Sequence, residues 1–378
     1  MNTKLLSISL LITILFAFSS CGNRSAKVKI NEAKEQLPLS YAKGFSISKA
    51  AKYTIVTVFN PWKEGAVYDK YYLVKSTHII VPEDGKKVIV PLKSLVSNSA
   101  THLEFLQMLG EIDKVTGVCS ASFIYNPAIL QRVKGGKTRD LGDSFNLDIE
   151  NLLLLRPQAV MTSAYDAEDE NTKKLAQTGL TVIYNIEWQE KSLLARAEWI
   201  KFVGAFFDKT DIADSLFQEV EQRYSNIKSK VMKIENKPSI LSGQDFRGTW
   251  TMPAGKSFNA QLYREAGGQY FYENENTSGS ISSTIEEALI RFSKADVWIG
   301  AQANSLKELG EIDEKYKLFK AYKERQVYNF NKRTTPAGGN DYWESAIARP
   351  DLLLADMIKV LHPTLLPEHE FFYIQKLK

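Results

Sequence analysis

The 378-residue sequence holds two cysteines, four histidines and no block of basic charge. Each shortage closes off a class of function. Two cysteines cannot staple a disulfide-rich secreted scaffold. The four histidines, His78, His102, His362 and His369, are scattered. A direct zinc or manganese carrier needs several histidines and carboxylates converging on one ion, so this is a poor donor set and no metal site is expected. The net charge of +4 is spread along the chain. A nucleic-acid binder concentrates its basic residues, so no nucleic-acid partner is expected. Gly-x-Ser-x-Gly, His-Glu-x-x-His, Gly-x-Gly-x-x-Gly and the P-loop are absent, and neither an enzyme nor a cofactor is expected. No apolar run of ~18 residues follows the leader, which predicts a soluble body. What is present is an ordinary globular composition, 44% hydrophobic and 24% charged. At ~100–200 residues per domain the length predicts about two domains.

The leader places Lys4 before an apolar run from Leu5 to Phe18, ended by Ser19 and Ser20. The run is shorter than the ~20 residues that cross a bilayer, so residues 1–20 read as an export signal. Phe18-Ser19-Ser20-Cys21 resembles a bacterial lipobox, although Phe18 departs from the usual Leu. On that resemblance Cys21 is lipidated and becomes the first mature residue. Its several acyl chains would anchor the chain stably to a membrane. Residues 21–44, polar and Lys-rich at their start, read as the tether. Cys119 is then the one remaining thiol, and a buried, inert role is expected for it.

Beyond the tether the hydrophobic pattern changes twice. From 45 to 90 it alternates in strand fashion, as in Tyr53, Ile55, Thr57 and Phe59, with turn signals at Asn60-Pro61 and Glu83-Asp84-Gly85. This predicts a small β-rich N-terminal extension. From 91 to 188 short strands alternate with short helices, which predicts an α/β lobe with a parallel sheet. Residues 189–237 are helical. There Ile212, Leu216, Phe217, Val220, Tyr224, Ile227 and Val231 form one stripe on a helix of ~30 Å, long enough to brace two lobes. The strand–helix alternation restarts over 238–378, the second lobe. The predicted fold class is α/β: two Rossmann-like lobes joined by a long α-helix.

A weak internal repeat relates the lobes. Ile149-Glu150-Asn151-Leu152 aligns with Ile285-Glu286-Glu287-Ala288, each opening a helix that leads into a strand. A carboxylate in the first turn of a helix is favoured by the helix dipole, worth ~0.3–1 kcal/mol, so helix electrostatics alone can explain both acids. Display of Glu150 and Glu286 towards basic residues of a partner is the other reading.

With these elements in place the chain resembles the substrate-binding lipoproteins of ABC importers for iron–siderophore complexes and cobalamin. The likeness spans about residues 91–370. It rests on Lys93-Ser94-Leu95-Val96-Ser97-Asn98-Ser99, on Leu147-Asp148-Ile149-Glu150 with Leu155-Arg156-Pro157-Gln158-Ala159-Val160, on Pro253-Ala254-Gly255-Lys256-Ser257-Phe258 with Ala266-Gly267-Gly268, and on Ala348-Arg349-Pro350-Asp351 with Leu361-His362-Pro363. The resemblance implies a monomeric receptor, lipid-anchored on the periplasmic side, that captures a metal chelate and passes it to a membrane permease. It also implies that Glu150 and Glu286 dock onto permease arginines, with Glu287 a neighbouring alternative to Glu286.

In open α/β sheets ligands bind beyond the carboxyl ends of the strands. Post-strand loops therefore supply the candidates. In the first lobe these are Asn98, Ser99, Phe123, Tyr125, Tyr165 and Trp188. In the second they are Arg247, Trp250, Met252, Gln302, Arg333, Tyr342 and Trp343, with Trp250 and Trp343 foremost. Aromatic walls suit a flat or ring-rich chelate, and Arg247 and Arg333 would meet an anionic one. The readings in competition are a direct zinc or manganese carrier, a surface adhesin with a filled cleft and a His-based enzyme. Siderophore, cobalamin and haem remain open as cargo. His362 and His369 read as surface residues.

Overall fold

The computed structural model describes residues 35–165 and 170–378. The export signal, Cys21 and most of the tether lie outside the described residues.

The β-rich extension is a five-stranded sheet built on Phe45–Lys49, Thr54–Phe59 and Val67–Val74, with Lys86–Ile89 added in parallel. Alternation puts Phe45, Ile47, Val56 and Val58 on one face, all buried. That face meets the Trp199–Phe206 helix, which follows a separate short helix, Leu193–Ala197, within the stretch read as helical from the sequence. Phe45 packs on Trp199 at 4.8 Å and Tyr71 on Phe206 at 5.4 Å. Each such side chain contributes ~1.5–3 kcal/mol by leaving water. The extension thereby shares one hydrophobic core with the first lobe.

Residues 35–44, the end of the segment read as a tether, are held. The fully buried carboxylate of Glu198 accepts hydrogen bonds from the N–H groups of Ser40, Tyr41 and Ala42 at 2.8–2.9 Å. Glu190 accepts from Lys43 and Gly44 in the same way. Three backbone donors on one carboxylate fix the chain's entry into the fold.

Two five-stranded sheets make the lobes. The first is all parallel, and the second is parallel except for its C-terminal edge strand, Gln375–Lys376. The repeat seen in sequence is structural. Asp148 caps the Ile149–Leu155 helix by accepting from Asn151 N–H, and Thr284 caps Ile285–Phe292 by accepting from Glu287 N–H. The first of these helices stops at Arg156, whose φ of 48° breaks the helical path just before Pro157. A small antiparallel sheet, Asp245–Phe246, Thr249–Pro253 and Ser280–Ser283, is added to the second lobe.

The long helix, Thr210–Ser229, joins both cores. Ala213 and Phe217 are buried in the first lobe's core and Tyr224 in the second's. Arg223 pairs with Asp351 at 2.8 Å, and the Tyr224 hydroxyl donates to Glu265 at 2.7 Å. The stripe read from the sequence is therefore divided between lobes, while Ile212 at its start is half exposed.

A second crossing between the lobes runs through Glu344 and Arg333. Glu344 of the second lobe accepts hydrogen bonds from Tyr125 N–H at 2.8 Å and Asn126 N–H at 3.0 Å in the first. The guanidinium of Arg333 stacks over the Tyr125 ring at 4.9 Å and is held by Asp341 at 2.6 Å.

Candidate ligand-binding cavity

A cavity of about 760 Å³ opens at the carboxyl ends of the second lobe's parallel strands. Ser242 ends one strand and Gly243 follows it, Ile299 and Gly300 do the same for the next, and Asn329 ends the third, followed by Phe330 and Asn331. Gly243 forms part of the floor with φ +78°, and a Cβ there would lie 2.2 Å from the Thr251 carbonyl oxygen. Only glycine fits both conditions.

The walls are aromatic: Trp188, Phe258, Tyr263, Phe330, Tyr342 and Trp343. Phe330 and Tyr342 are stacked with centroids 4.3 Å apart, and Trp343, 63% exposed, stands edge-on to Tyr342 at 4.7 Å. Charge in the lining is mostly positive. Lys191 and Lys256 are exposed, and the Phe258–Glu265 helix begins at the cavity with Ser257 as its cap. The single acid, Glu190, is occupied: it accepts from Gly44 N–H and Trp199 Nε1, and burial pushes its carboxyl upward. Among the described residues no group of three or more His, Cys, Asp and Glu side chains converges to hold a metal ion.

The post-strand candidates divide sharply. Trp188, Met252, Gln302, Tyr342 and Trp343 line this cavity. Trp250 does not. Strand alternation turns it into the second lobe's interior, where it stacks with Trp298 at 5.5 Å and donates from Nε1 to the Ser242 carbonyl at 2.8 Å. Arg247 sits exposed at the tip of a hairpin over Phe246. Arg333 is spent on Asp341, Tyr125 and Phe372.

In the first lobe, Asn98 faces a separate cavity of about 170 Å³ and donates to Thr162 Oγ1 and the Ser144 carbonyl. Ser99 bonds Thr101. Tyr125 lies under the cross-lobe clasp, and exposed Phe123 is near Gly338 of the second lobe. Tyr165 stacks between Phe145 and Trp188 at 5.3 and 5.6 Å, forming an exposed aromatic shelf that reaches the cavity only through Trp188. The expectation that post-strand loops of both lobes line the site is thus corrected to a cavity walled by the second lobe and the 188–191 segment. The physical reason is the 333–344 segment, which crosses over and packs on the first lobe's strand ends.

The sequence reading passed over Lys256, Phe258, Asn329, Phe330 and Asn331 as site residues. The signals were available: a Ser-capped helix start after Pro253-Ala254-Gly255, and asparagines directly after a buried strand. Of the remaining titratable groups, burial pushes the Cys119 thiol up to about 12, which leaves it inert. His369 is no free surface group, since its Nε2 meets the buried Asp356 at 2.6 Å, and His362 Nε2 lies 3.1 Å from the Gly267 carbonyl.

Comparison with known proteins now decides the family. Residues 95–334 match the family model described as periplasmic binding protein, well over half of the chain. The chain belongs to the periplasmic binding protein family. An uncharacterised lipoprotein of Methanocaldococcus jannaschii is 26% identical over 95% of this chain and 93% of its own. A possible iron-binding periplasmic solute-binding protein of Staphylococcus epidermidis shares the fold with a TM-score of 0.55 and 19% identity, over 71% of this chain and 98% of that one. The vitamin B12 binding protein of Vibrio cholerae does so with a TM-score of 0.53 and 15% identity, over 71% and 98%. The two-lobed α/β architecture of this binding protein is therefore the family's, and solute binding is the family's role.

Proposed function

We propose that the chain is the lipid-anchored receptor of an ABC importer, capturing an organic metal chelate and delivering it to a membrane permease. The observation that carries this reading is the cavity itself. Its volume falls within the ~300–1,000 Å³ usual for small-molecule sites. Its walls are aromatic, its exposed charges cationic, and it is open where an adhesin's cleft would be filled. A chelate brings its own donor atoms, so such a site needs no converging metal ligands. The lipobox-like Cys21 and the lipoprotein relative support the anchor.

Delivery is assigned to Glu150 and Glu286. Both are exposed in the first turn of equivalent, capped helices. Glu286 is paired with Lys315 at 2.7 Å, an exposed contact weak enough to be exchanged for a permease arginine. Glu287 is turned back to the Ser283 hydroxyl at 2.8 Å, which favours Glu286 as the docking acid.

Tryptophan-fluorescence titration of the full-length protein in detergent with cobalamin, ferric siderophores and haem tests the capture step. Saturable binding of at least one, at about 1 µM or tighter, is expected. Binding of none would overturn the cargo assignment. Glu150→Ala combined with Glu286→Ala is expected to abolish uptake in cells and leave that affinity unchanged. Wild-type uptake by the double variant would remove the docking assignment.

A further inference from the structure

We infer that a smaller cavity beside the main one is a subsite for an oxyanion group carried on an apolar arm of the cargo, with Arg196 as its cationic partner. The inference rests on the capture reading above and adds the chemical class of what is captured.

This annex has a volume of about 130 Å³ and shares three walls, Phe258, Tyr342 and Trp343, with the main cavity. It has room for a carboxylate or phosphate on a short arm, and not for a whole chelate. Its other walls include Leu193 and Leu353, which suit such an arm. Arg196, on the Leu193–Ala197 helix, lines it and is only 8% exposed. The guanidinium stacks on Phe258 at 4.4 Å. Its side chain makes no hydrogen bond or ion pair with any described residue, and its buried Nε has no partner. Glu187 is the nearest acid in effect, but it lies outside ion-pair distance of Arg196 and has a neighbour of its own in His102 at 3.7 Å.

A buried cation with no paired counter-charge is costly. Arginine's planar fork gains most from a bidentate oxyanion in a site shielded from water. An arm reaching in from the aromatic cavity would bring that oxyanion past Phe258 to the guanidinium. Carboxylate and phosphate share this chemistry.

The test uses the full-length protein in detergent and three probes: benzoate, phenylphosphate and the neutral benzamide, followed by saturation-transfer NMR. One or both oxyanions are expected to bind at least about tenfold more tightly than benzamide. The tighter of the two names the source of the charge. Arg196→Met is expected to abolish this preference, and Arg196→Lys, which keeps the charge without the fork, to weaken it about tenfold. Ala346→Leu narrows the annex without touching the charge and is expected to block both oxyanions. A circular-dichroism melt of each variant reports its folding. Equal binding of benzamide, binding unaffected by Arg196→Lys and Ala346→Leu, or no oxyanion binding would each overturn the subsite. If chelates bind the wild type while neither oxyanion does, the subsite falls and the cargo reading stands. If the oxyanions bind and no chelate does, the reverse holds.

Discussion

Both lobes carry a five-stranded, largely parallel sheet, yet they use its carboxyl edge differently. In the second lobe that edge is open and forms the floor of the cavity, with Gly243 and Gly300 turning the chain away at positive φ. In the first lobe the same edge is covered. Glu344 takes the N–H groups of Tyr125 and Asn126, Arg333 stacks on Tyr125, and the loop at Gly338 approaches Phe123. Sharing a fold does not mean sharing the ligand. One lobe supplies most of the site, and the other supplies a face on which the site's far rim is latched.

The largest expected effect falls on the second lobe's interior. Trp250→Ala is expected to cost about 3–5 kcal/mol of stability, because it empties an indole-sized space against Trp298, Tyr316 and Phe319. Chemical denaturation measures this directly. Loss of ligand affinity with unchanged stability would instead return Trp250 to the cavity wall.

A middle-sized effect tests the latch. Burial pushes Glu344 up to about 8, against the pull of its two backbone donors, with Asp341 and Glu104 adding to the rise. Burial and then Asp341 push Glu104 up to about 7, while Arg349 and Arg333 oppose. Both carboxyls keep their protons in the folded chain where the unfolded chain has released them. Stability is therefore full at about pH 4.5 and below, and declines as pH rises towards 8. Thermal melts should show Tm falling by several degrees between pH 5 and pH 8.5, on top of any other titration. Glu344→Gln, which cannot titrate, should flatten that slope, and an unchanged slope would remove Glu344 as its source.

The same contrast marks how far the sequence could be read. The lobes, the joining helix and the β-rich extension follow from apolar periodicity, which acts locally. The rule that ligands lie beyond strand ends picked out Met252, Gln302, Tyr342 and Trp343 on the lobe whose edge is open and Trp188 on the segment beside it, all of which line the cavity. It overreached at Tyr125, whose backbone N–H is taken by Glu344, 219 positions away, at Asn98 and Ser99, which bond within the first lobe, and at Phe123, which stays exposed beside Gly338. Trp250 was misplaced for a smaller reason. The turn at Arg247-Gly248 concealed that Thr249–Pro253 is a strand, in which Trp250 is fully buried in the lobe's interior. Arg196 stayed hidden inside a run of helix-forming residues that gives no sign of facing a cavity.

The comparison of lobes is tested most directly by one paired measurement, in which the effects are smallest and the contrast is cleanest. Trp343 and Phe123 are both well exposed aromatics, at 63% and 65%, so either can be replaced by alanine with little cost to folding. Affinity for the tightest-binding chelate of the panel, measured by calorimetry, is expected to fall about tenfold in Trp343→Ala and to stay at the wild-type value in Phe123→Ala. Equal losses in the two variants would show that both lobes grip the cargo, and would contradict the account.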